Sequence, residues 1–531
     1  MDAESREAGQ GVQKRSIGFS ASLIFIATLV SRVSGFAREI VMAAMFATRG
    51  ATDAWLMASA LPNLLFSTIN GAISVTLVPI MTQADVEYAP RSVARFLNEV
   101  FTLLFLISLV LIGLGEVFAP LIMHLMAPGF RHHPGEMRLA IDMTRIMIPT
   151  IFFWGVAGIV MGVLQEREEY LTPALSPVAV NIVRITTIIV LGHFMGIKGV
   201  ALGFTFAVLS QLAVTLPSLH RMGIHLHFRW HFSHPLLKRM LRMAGPFFLT
   251  TSVGSVGVIV DRILASNLVT GSIAALNYSY VLVQIPVGLL VSSLAMPIYT
   301  RLSRHHSSHE MNTFRELAMQ GFRVVLMVIV PITVWFVVLN IPILRLLYQH
   351  GAFTSRSTQL TSGTLLYFAF GLPGFGLSFY LQRLFFATQD TRSPARFSII
   401  TITVNIVGDL ILVHFLQADG LALATGLASW VNATLLAIKA LRGPRYNNNL
   451  RVRHTLVSLG AAGAGMLVLT LFLAHYIGLS TTTGTFSLLF SLTLTVLVSG
   501  FAYLAILAAF RFPDLAYLGS RLTRGRYVPK R

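Results

Sequence analysis

The side chains able to do chemistry in this 531-residue chain are the few charged and amide groups set inside long apolar stretches. A charge at the centre of a bilayer costs about 2.5–3.5 kcal/mol on insertion scales, so it persists where it meets a cavity or a partner. The first such group is Arg32, Arg38 and Glu39 (SRVSGFARE), followed closely by Asp53 (ATDAW). Clustered in this way they suit the wall of a polar cavity. The plainer alternative is an Arg38–Asp53 or Arg32–Glu39 pair that only orients helices. The second group is Asp261 with Arg262, and Asn405 with Asp409. Asn405 and Asp409 are one helical turn apart, so both project from one face. Two carboxylates and an amide form an oxygen-rich set that suits a hard cation such as Na⁺ rather than a soft metal. A proton relay through Asp261 and Asp409 is the alternative. The third group, Arg145 and Arg184, is isolated. Arg145 reads as snorkelling or as paired with Asp142, and the role of Arg184 stays undecided.

These residues need elements that live in lipid. The chain is 55% hydrophobic and 11% charged, against about 25% charged in soluble domains, and its mean hydropathy is +0.72. A helix crosses the hydrocarbon core in about 20 apolar residues, and fourteen segments between residues 17 and 510 qualify. Gly35 in the first, and Pro62 and Gly71 in the second, predict bends. The net charge of +19 would suit a nucleic-acid partner on a soluble fold. Here the Lys and Arg residues sit in short loops between apolar spans, which is the pattern of topology determinants, and no nucleic acid is expected. With the amino terminus in the cytoplasm, 29 of the 40 Lys and Arg residues fall in inward segments, 6 in outward loops and 5 within spans. That bias places both termini inside.

The chain repeats itself at an offset near 222 residues. Pro120-Leu121-Ile122 and Gly129 recur as Pro342-Ile343-Leu344 and Gly351, and Asn181-Ile182-Val183 as Asn405-Ile406-Val407. Thr172-Pro173-Ala174 recurs as Ser393-Pro394-Ala395, and Gly199-Val200-Ala201-Leu202 as Gly420-Leu421-Ala422-Leu423. The offset spans six crossings, so the two halves share one orientation, the parallel repeat of transporters that alternate access by rocking one lobe on the other. The expected fold is therefore all-α integral membrane, with about fourteen transmembrane helices in two parallel six-helix lobes and two further C-terminal helices. The expected division is a cytoplasmic tail (1–15), an N-lobe (16–222), a cytoplasmic basic loop (223–240) and a C-lobe (241–442). Residues 443–531 hold the last two spans and a basic tail. Asp409 corresponds to Ile185 in the first lobe, so its cluster is not a requirement of the repeat and points to a function peculiar to the second.

The His-rich stretch His225–His234 (HLHFRWHFSH) alternates histidines without a nearby carboxylate or Cys. It reads as an interfacial loop touching anionic lipid heads. There is no Cys in the chain, hence no disulfide or thiolate site. Met1–Arg15 is polar and lacks the apolar core of a removable leader. The GxxxxGK[ST], HExxH and GxSxG motifs are absent, so an enzyme is not expected and energy should come from an ion gradient or the membrane potential.

The run SRVSGFARE…ATDAW…LPNLL…VPI (Ser31–Ile80) resembles the opening signature of the MurJ (MviN) lipid II flippases, within the multidrug/oligosaccharidyl-lipid/polysaccharide exporter superfamily. LLYQHGAFT (Leu346–Thr354), FATQDTRSPAR (Phe386–Arg396) and VDRILAS…GSIAALNY (Val260–Tyr278) are similar to further family blocks. The resemblance covers nearly the whole chain. It implies a bacterial plasma-membrane flippase for lipid II, the undecaprenyl-pyrophosphate-linked peptidoglycan precursor, serving cell-wall biogenesis and cell shape, with cell-wall synthesis proteins as candidate partners. Arg32, Arg38 and Glu39 would face a central cationic cavity, where guanidinium forks meet the diphosphate. Asp261, Asn405, Asp409 and Thr425, with a backbone carbonyl near Leu421, would hold Na⁺. No other cofactor is implied. Tyr278-Ser279-Tyr280-Val281-Leu282 stands where the family usually reads Tyr-Ala-Asp-Arg-Leu, so Val281 makes the implied cavity less cationic. A flippase for another polyprenyl-linked saccharide, or a membrane scaffold that does not transport, are the other readings.

Overall fold

The computed structural model describes residues 3–308, 310–442, 452–479 and 484–515, so most of the expected basic carboxyl tail lies outside the described residues. Among the described residues the chain is all-helical and divides into two compact units, Met1–Gly271 and Ser272–Arg531.

The first unit runs α1 (Ala3–Phe46), α2 (Gly50–Glu87), α3 (Pro90–Met126), α4 (Pro134–Met147), α5 (Thr150–Glu166), α6 (Leu171–Met195), α7 (Ile197–Arg221) and α8 (Pro235–Ala265). The polar stretch expected as a tail is continuous helix from Ala3. In the second unit are α9 (Ser272–Pro286), α10 (Ser292–Ser307), α11 (Met311–Val338), α12 (Asn340–Leu347), α13 (Ser355–Ala387), α14 (Arg392–Arg442), α15 (Val452–Tyr476) and α16 (Thr485–Ala509). A π-helical turn, Val287–Val291, joins α9 to α10 directly after Pro286, which lacks the N–H that would hold α-helical register. Eleven helical segments among the described residues are long and apolar enough to cross a membrane. Helices are the expected answer to lipid, since they satisfy every interior backbone group within one segment. One of the eleven, α14, joins two helices across Gln417, whose φ of 52° and ψ of −127° break the helix.

The repeat is visible in the backbone. Glu168 (φ 58°) and Gln389 (φ 60°), 221 residues apart, both take the left-handed conformation that ends a helix. The next residue in each case is an acid that caps the following helix. Glu169 accepts from the Thr172 amide at 3.2 Å and hydroxyl at 3.0 Å, and Asp390 from the Ser393 amide at 3.0 Å and hydroxyl at 2.6 Å. Gly196 (φ 62°, ψ −146°) is the first-unit counterpart of Gln417. Three residues later a Cβ on Gly199 or Gly420 would lie 2.2 or 2.3 Å from the Leu191 or Leu412 carbonyl oxygen, so only glycine fits. Small residues also let neighbouring spans close up, as lipid-embedded helices require. A Cβ on Gly203 of α7 would meet Thr187 of α6 at 2.2 Å, and one on Gly374 of α13 would meet Ser429 of α14 at 2.4 Å.

Candidate functional site

In the first unit, α6 holds α1 through one amide. The Asn181 Nδ2 donates to the Ser31 carbonyl at 3.0 Å and the Ser34 hydroxyl at 3.1 Å, while its Oδ1 accepts from Arg38 Nη1 at 3.1 Å. The rest of the Arg38 fork is directed to Glu39, with Nη2 to Oε1 at 2.6 Å and Nε to the same oxygen at 3.2 Å. Glu39 is buried and Arg38 partly so. Three residues beyond Asn181 on the same face, Arg184 lies over the rings of Phe204 (4.9 Å) and Trp55 (5.7 Å), in the field of Arg38 and Glu39. The first unit thus gathers two guanidiniums, one carboxylate and one amide, backed by aromatic rings. Arg184, which looked isolated in the sequence, belongs with Arg38. The Asn181–Arg184 spacing, three residues on a predicted helix, was the available signal.

Other expected residues take other places. Asp53 is buried and its Oδ2 accepts from the Gly271 amide at 2.6 Å, which pins the turn after α8. Gly271 has φ of 97°, and a Cβ there would lie 2.4 Å from the Thr48 carbonyl oxygen, so the turn needs glycine. Arg32 is exposed and makes no hydrogen bond or ion pair among the described residues. Arg262 donates to the Leu56 carbonyl at 2.7 Å, tying α8 to α2. Arg145 is not paired with Asp142. It bonds the Glu116 carbonyl at 3.2 Å and lies 3.8 Å from the Glu116 carboxylate, while Asp142 is taken by Lys198 at 2.7 Å. Lys198 lies in the first turn of α7 and reaches Asp142 from there.

Of the four expected cation ligands, Asp261 belongs to the first unit, and Asn405, Asp409 and Thr425 to the second. Those three meet. Asp409 is fully buried, and its Oδ2 accepts from Asn405 Nδ2 at 2.9 Å. Asn405 Nδ2 also approaches the Thr425 hydroxyl at 3.4 Å, and that hydroxyl donates to the Leu421 carbonyl at 3.0 Å. A carboxylate, an amide, a hydroxyl and a carbonyl within one cluster are donors of the kind Na⁺ takes. Beside it lies a cavity of about 300 Å³ walled by α9, α13 and both halves of α14, with Asn405 and Thr425 in its lining.

The His-rich stretch is an extended strap along α3. The His227 and Arg229 amides donate to Asn98 Oδ1 at 2.8 Å and Thr102 Oγ1 at 2.7 Å, and the His234 amide donates to buried Glu99 at 3.0 Å. Two extended residues advance about 6.6 Å and four helical ones about 6 Å, so Asn98 and Thr102 match His227 and Arg229. Alternation then puts Phe228, Trp230 and Phe232, all exposed, on one edge and His225, His227, Arg229 and His231 on the other. No metal-binding cluster of His, Cys, Asp and Glu occurs among the described residues.

A family model described as lipid II flippase MurJ matches residues 42–497. A probable lipid II flippase MurJ of Rhizobium meliloti is 31% identical over 420 residues, 77% of this chain and 78% of that protein. The lipid II flippase MurJ of Burkholderia cenocepacia is 28% identical over 416 residues, 77% and 81% of the two chains. Among solved structures, a lipid II flippase MurJ in an inward closed conformation matches with a TM-score of 0.78 and 25% identity, covering 94% of this chain and all of that one. An inward-facing multidrug resistance MATE family transporter shares the fold, with a TM-score of 0.59 and 14% identity over 79% of this chain and 93% of its own.

Proposed function

The chain belongs to the MurJ family of lipid II flippases, and from that premise we propose that it moves lipid II from the cytoplasmic to the outer leaflet by alternating access. The observation that carries this reading is the Arg38–Glu39–Asn181 cluster with Arg184 beside it. A diphosphate is met best by planar guanidinium forks in a partly dry site. Glu39 holds the Arg38 fork in place before substrate arrives, and the diphosphate then competes with that carboxylate. Such competition leaves binding weak enough for release on the far side. The same cluster favours an anionic cargo, because its two guanidiniums face a single carboxylate and a neutral lipid would leave the excess positive charge unmatched.

Both termini lie in the cytoplasm on this reading, following the bias of 29 to 6 positive charges. The strap then sits at the cytoplasmic face, its aromatic edge at headgroup level and its basic edge toward anionic lipid. The drive is Na⁺ held by Asp409, Asn405, Thr425 and the Leu421 carbonyl. As it stands, Asn405 turns its Nδ2 toward Asp409 and Thr425. An amide can offer a cation only its oxygen, so occupancy requires Asn405 to rotate.

Complementation of a strain depleted of its lipid II flippase tests the function. Wild type is expected to restore growth, Arg38→Ala to fail while reaching the membrane at normal levels, and Arg38→Lys to restore it in part. Growth supported by an Arg32→Ala, Arg38→Ala double variant would show that the cationic residues carry no cargo, and would favour a scaffold.

A further inference from the structure

The second-unit cavity differs in kind from the first-unit cluster. Its lining holds the amides of Gln284, Gln382, Asn405 and Asn432, the rings of Phe375 and Phe379, and no charged side chain. Nearby hydroxyls are already engaged, Ser378 with the Ser429 carbonyl at 3.3 Å and Ser429 with the Gly371 carbonyl at 2.9 Å. The amides are not. Asn432 is 7% exposed, yet its Oδ1 has no hydrogen-bond partner among the described residues. Gln284 Nε2 donates to Tyr280 Oη at 2.6 Å, which turns its other amide atom elsewhere. A buried acceptor without a donor is costly unless something supplies one.

The repeat sharpens the contrast. Thr425 stands 221 residues after Phe204, the ring beneath Arg184, and Asn432 stands 221 after Gln211. Where the first unit fills this part of the framework with an aromatic ring and a guanidinium, the second leaves a hydroxyl, amides and open volume. Charge-free amides that each offer donors and an acceptor match groups dense in hydroxyls and acetamides. Phe375 and Phe379 add apolar faces for the C–H side of a sugar ring, and Arg383, 3.7 Å from the Phe379 centroid, holds that ring in place. About 300 Å³ is at the small end of ligand pockets, enough for a monosaccharide-sized group and not for a whole head group.

We propose that this cavity is a saccharide subsite, taking an N-acetylated sugar of the lipid-linked substrate by amide hydrogen bonds and ring stacking. This rests on the flippase reading above: uncharged amides suit a sugar as guanidiniums suit a diphosphate. Asn405 belongs to the subsite and to the cation cluster alike, so its rotation would change which amide atom faces the sugar.

Binding of lipid II and of undecaprenyl pyrophosphate, which share lipid and diphosphate but differ in sugar, tests it on the full chain in nanodiscs. Wild type should prefer lipid II. Gln382→Leu and Asn432→Leu should each weaken lipid II binding about tenfold, the size of one hydrogen bond, and leave undecaprenyl pyrophosphate unchanged. Phe379→Ala, at a half-buried position, should do the same if a leucine variant fails to fold. Arg38→Ala should weaken both lipids. The subsite is overturned if wild type shows no preference, if the amide variants keep it, or if they weaken both lipids equally. Binding of neither lipid by wild type would overturn the flippase reading and the subsite with it.

Discussion

At the scale of single side chains, Arg38 and Arg184 share a neighbourhood but not a role. Arg38 is held by two oxygen acceptors, Glu39 and Asn181, whereas Arg184 is held by two rings. Ring contacts of this kind contribute about 0.5–2 kcal/mol, and the Arg184 fork makes no hydrogen bond among the described residues. On the proposed reading Arg184 is therefore the freer donor, and Arg38 the one that the incoming anion would release. Arg184→Gln should lower affinity for undecaprenyl pyrophosphate about tenfold or more, as loss of a charge-assisted bond does. Glu39→Gln should raise it by weakening the competitor. Arg145→Ala, at an exposed position on Glu116, should change neither. A drop in affinity for Glu39→Gln would mean that the acid positions Arg38 more than it competes. Microscale binding to nanodiscs separates these outcomes.

At the scale of elements, the strap shows how a loop without regular structure is fixed. His234 closes it. Its Nδ1 accepts from the Leu236 amide at 3.3 Å, capping α8, and its Nε2 meets the Ser92 hydroxyl at 3.0 Å. Burial holds the imidazole below its ordinary value of 6.5, with Glu99 pulling upward and Arg95 downward. A lowered folded-state value means the unfolded chain binds the proton more readily, so the stability from this contact is present above about pH 6.5 and lost as pH falls below it. A charged imidazole at Nδ1 cannot accept from Leu236 and also opposes the positive end of the helix. Thermal unfolding should fall between pH 7 and 5.5, and His234→Asn, which caps without titrating, should flatten that fall. An unchanged slope in the variant would place the pH dependence elsewhere. The strap also marks what a sequence can and cannot reveal. Its alternating pattern was readable because it is local, as were the apolar runs that became spans. The seat of Arg184 on Phe204 and Trp55, the Asp53–Gly271 clasp and the amide cavity were not readable, because each joins helices far apart in sequence. The Asp142 pairing offered for Arg145 fails for the same reason, since its partner Glu116 lies on α3 rather than one turn away.

At the scale of the whole molecule, a repeat in which one lobe holds an ion, as proposed above, would give the transporter a way to bias its own equilibrium. Ile185 stands where the second unit has Asp409, so the same framework folds without the acid. A fully buried carboxylate with an amide, a hydroxyl and a carbonyl around it is costly to keep charged in lipid without a counter-ion. Na⁺ can shift the conformational equilibrium only by the difference in its affinity for the two states. Any state it prefers is also stabilised by mass action, about 2.7 kcal/mol at a hundred times the dissociation constant. The unfolding temperature of the purified protein should therefore rise with NaCl and not with choline chloride at matched ionic strength. Asp409→Asn should erase the difference, because it removes the one charge in the second-unit cluster. Asn405→Leu should erase it too, since it removes the amide oxygen that must rotate toward the ion, whereas Arg145→Ala should leave it. A shift that follows pH and ignores Na⁺ would make Asp409 a proton site, coupling transport to the proton gradient through the same helix. A shift that follows neither would reduce the cluster to packing between the halves of α14, and the membrane potential acting on the lipid diphosphate would then be the remaining drive.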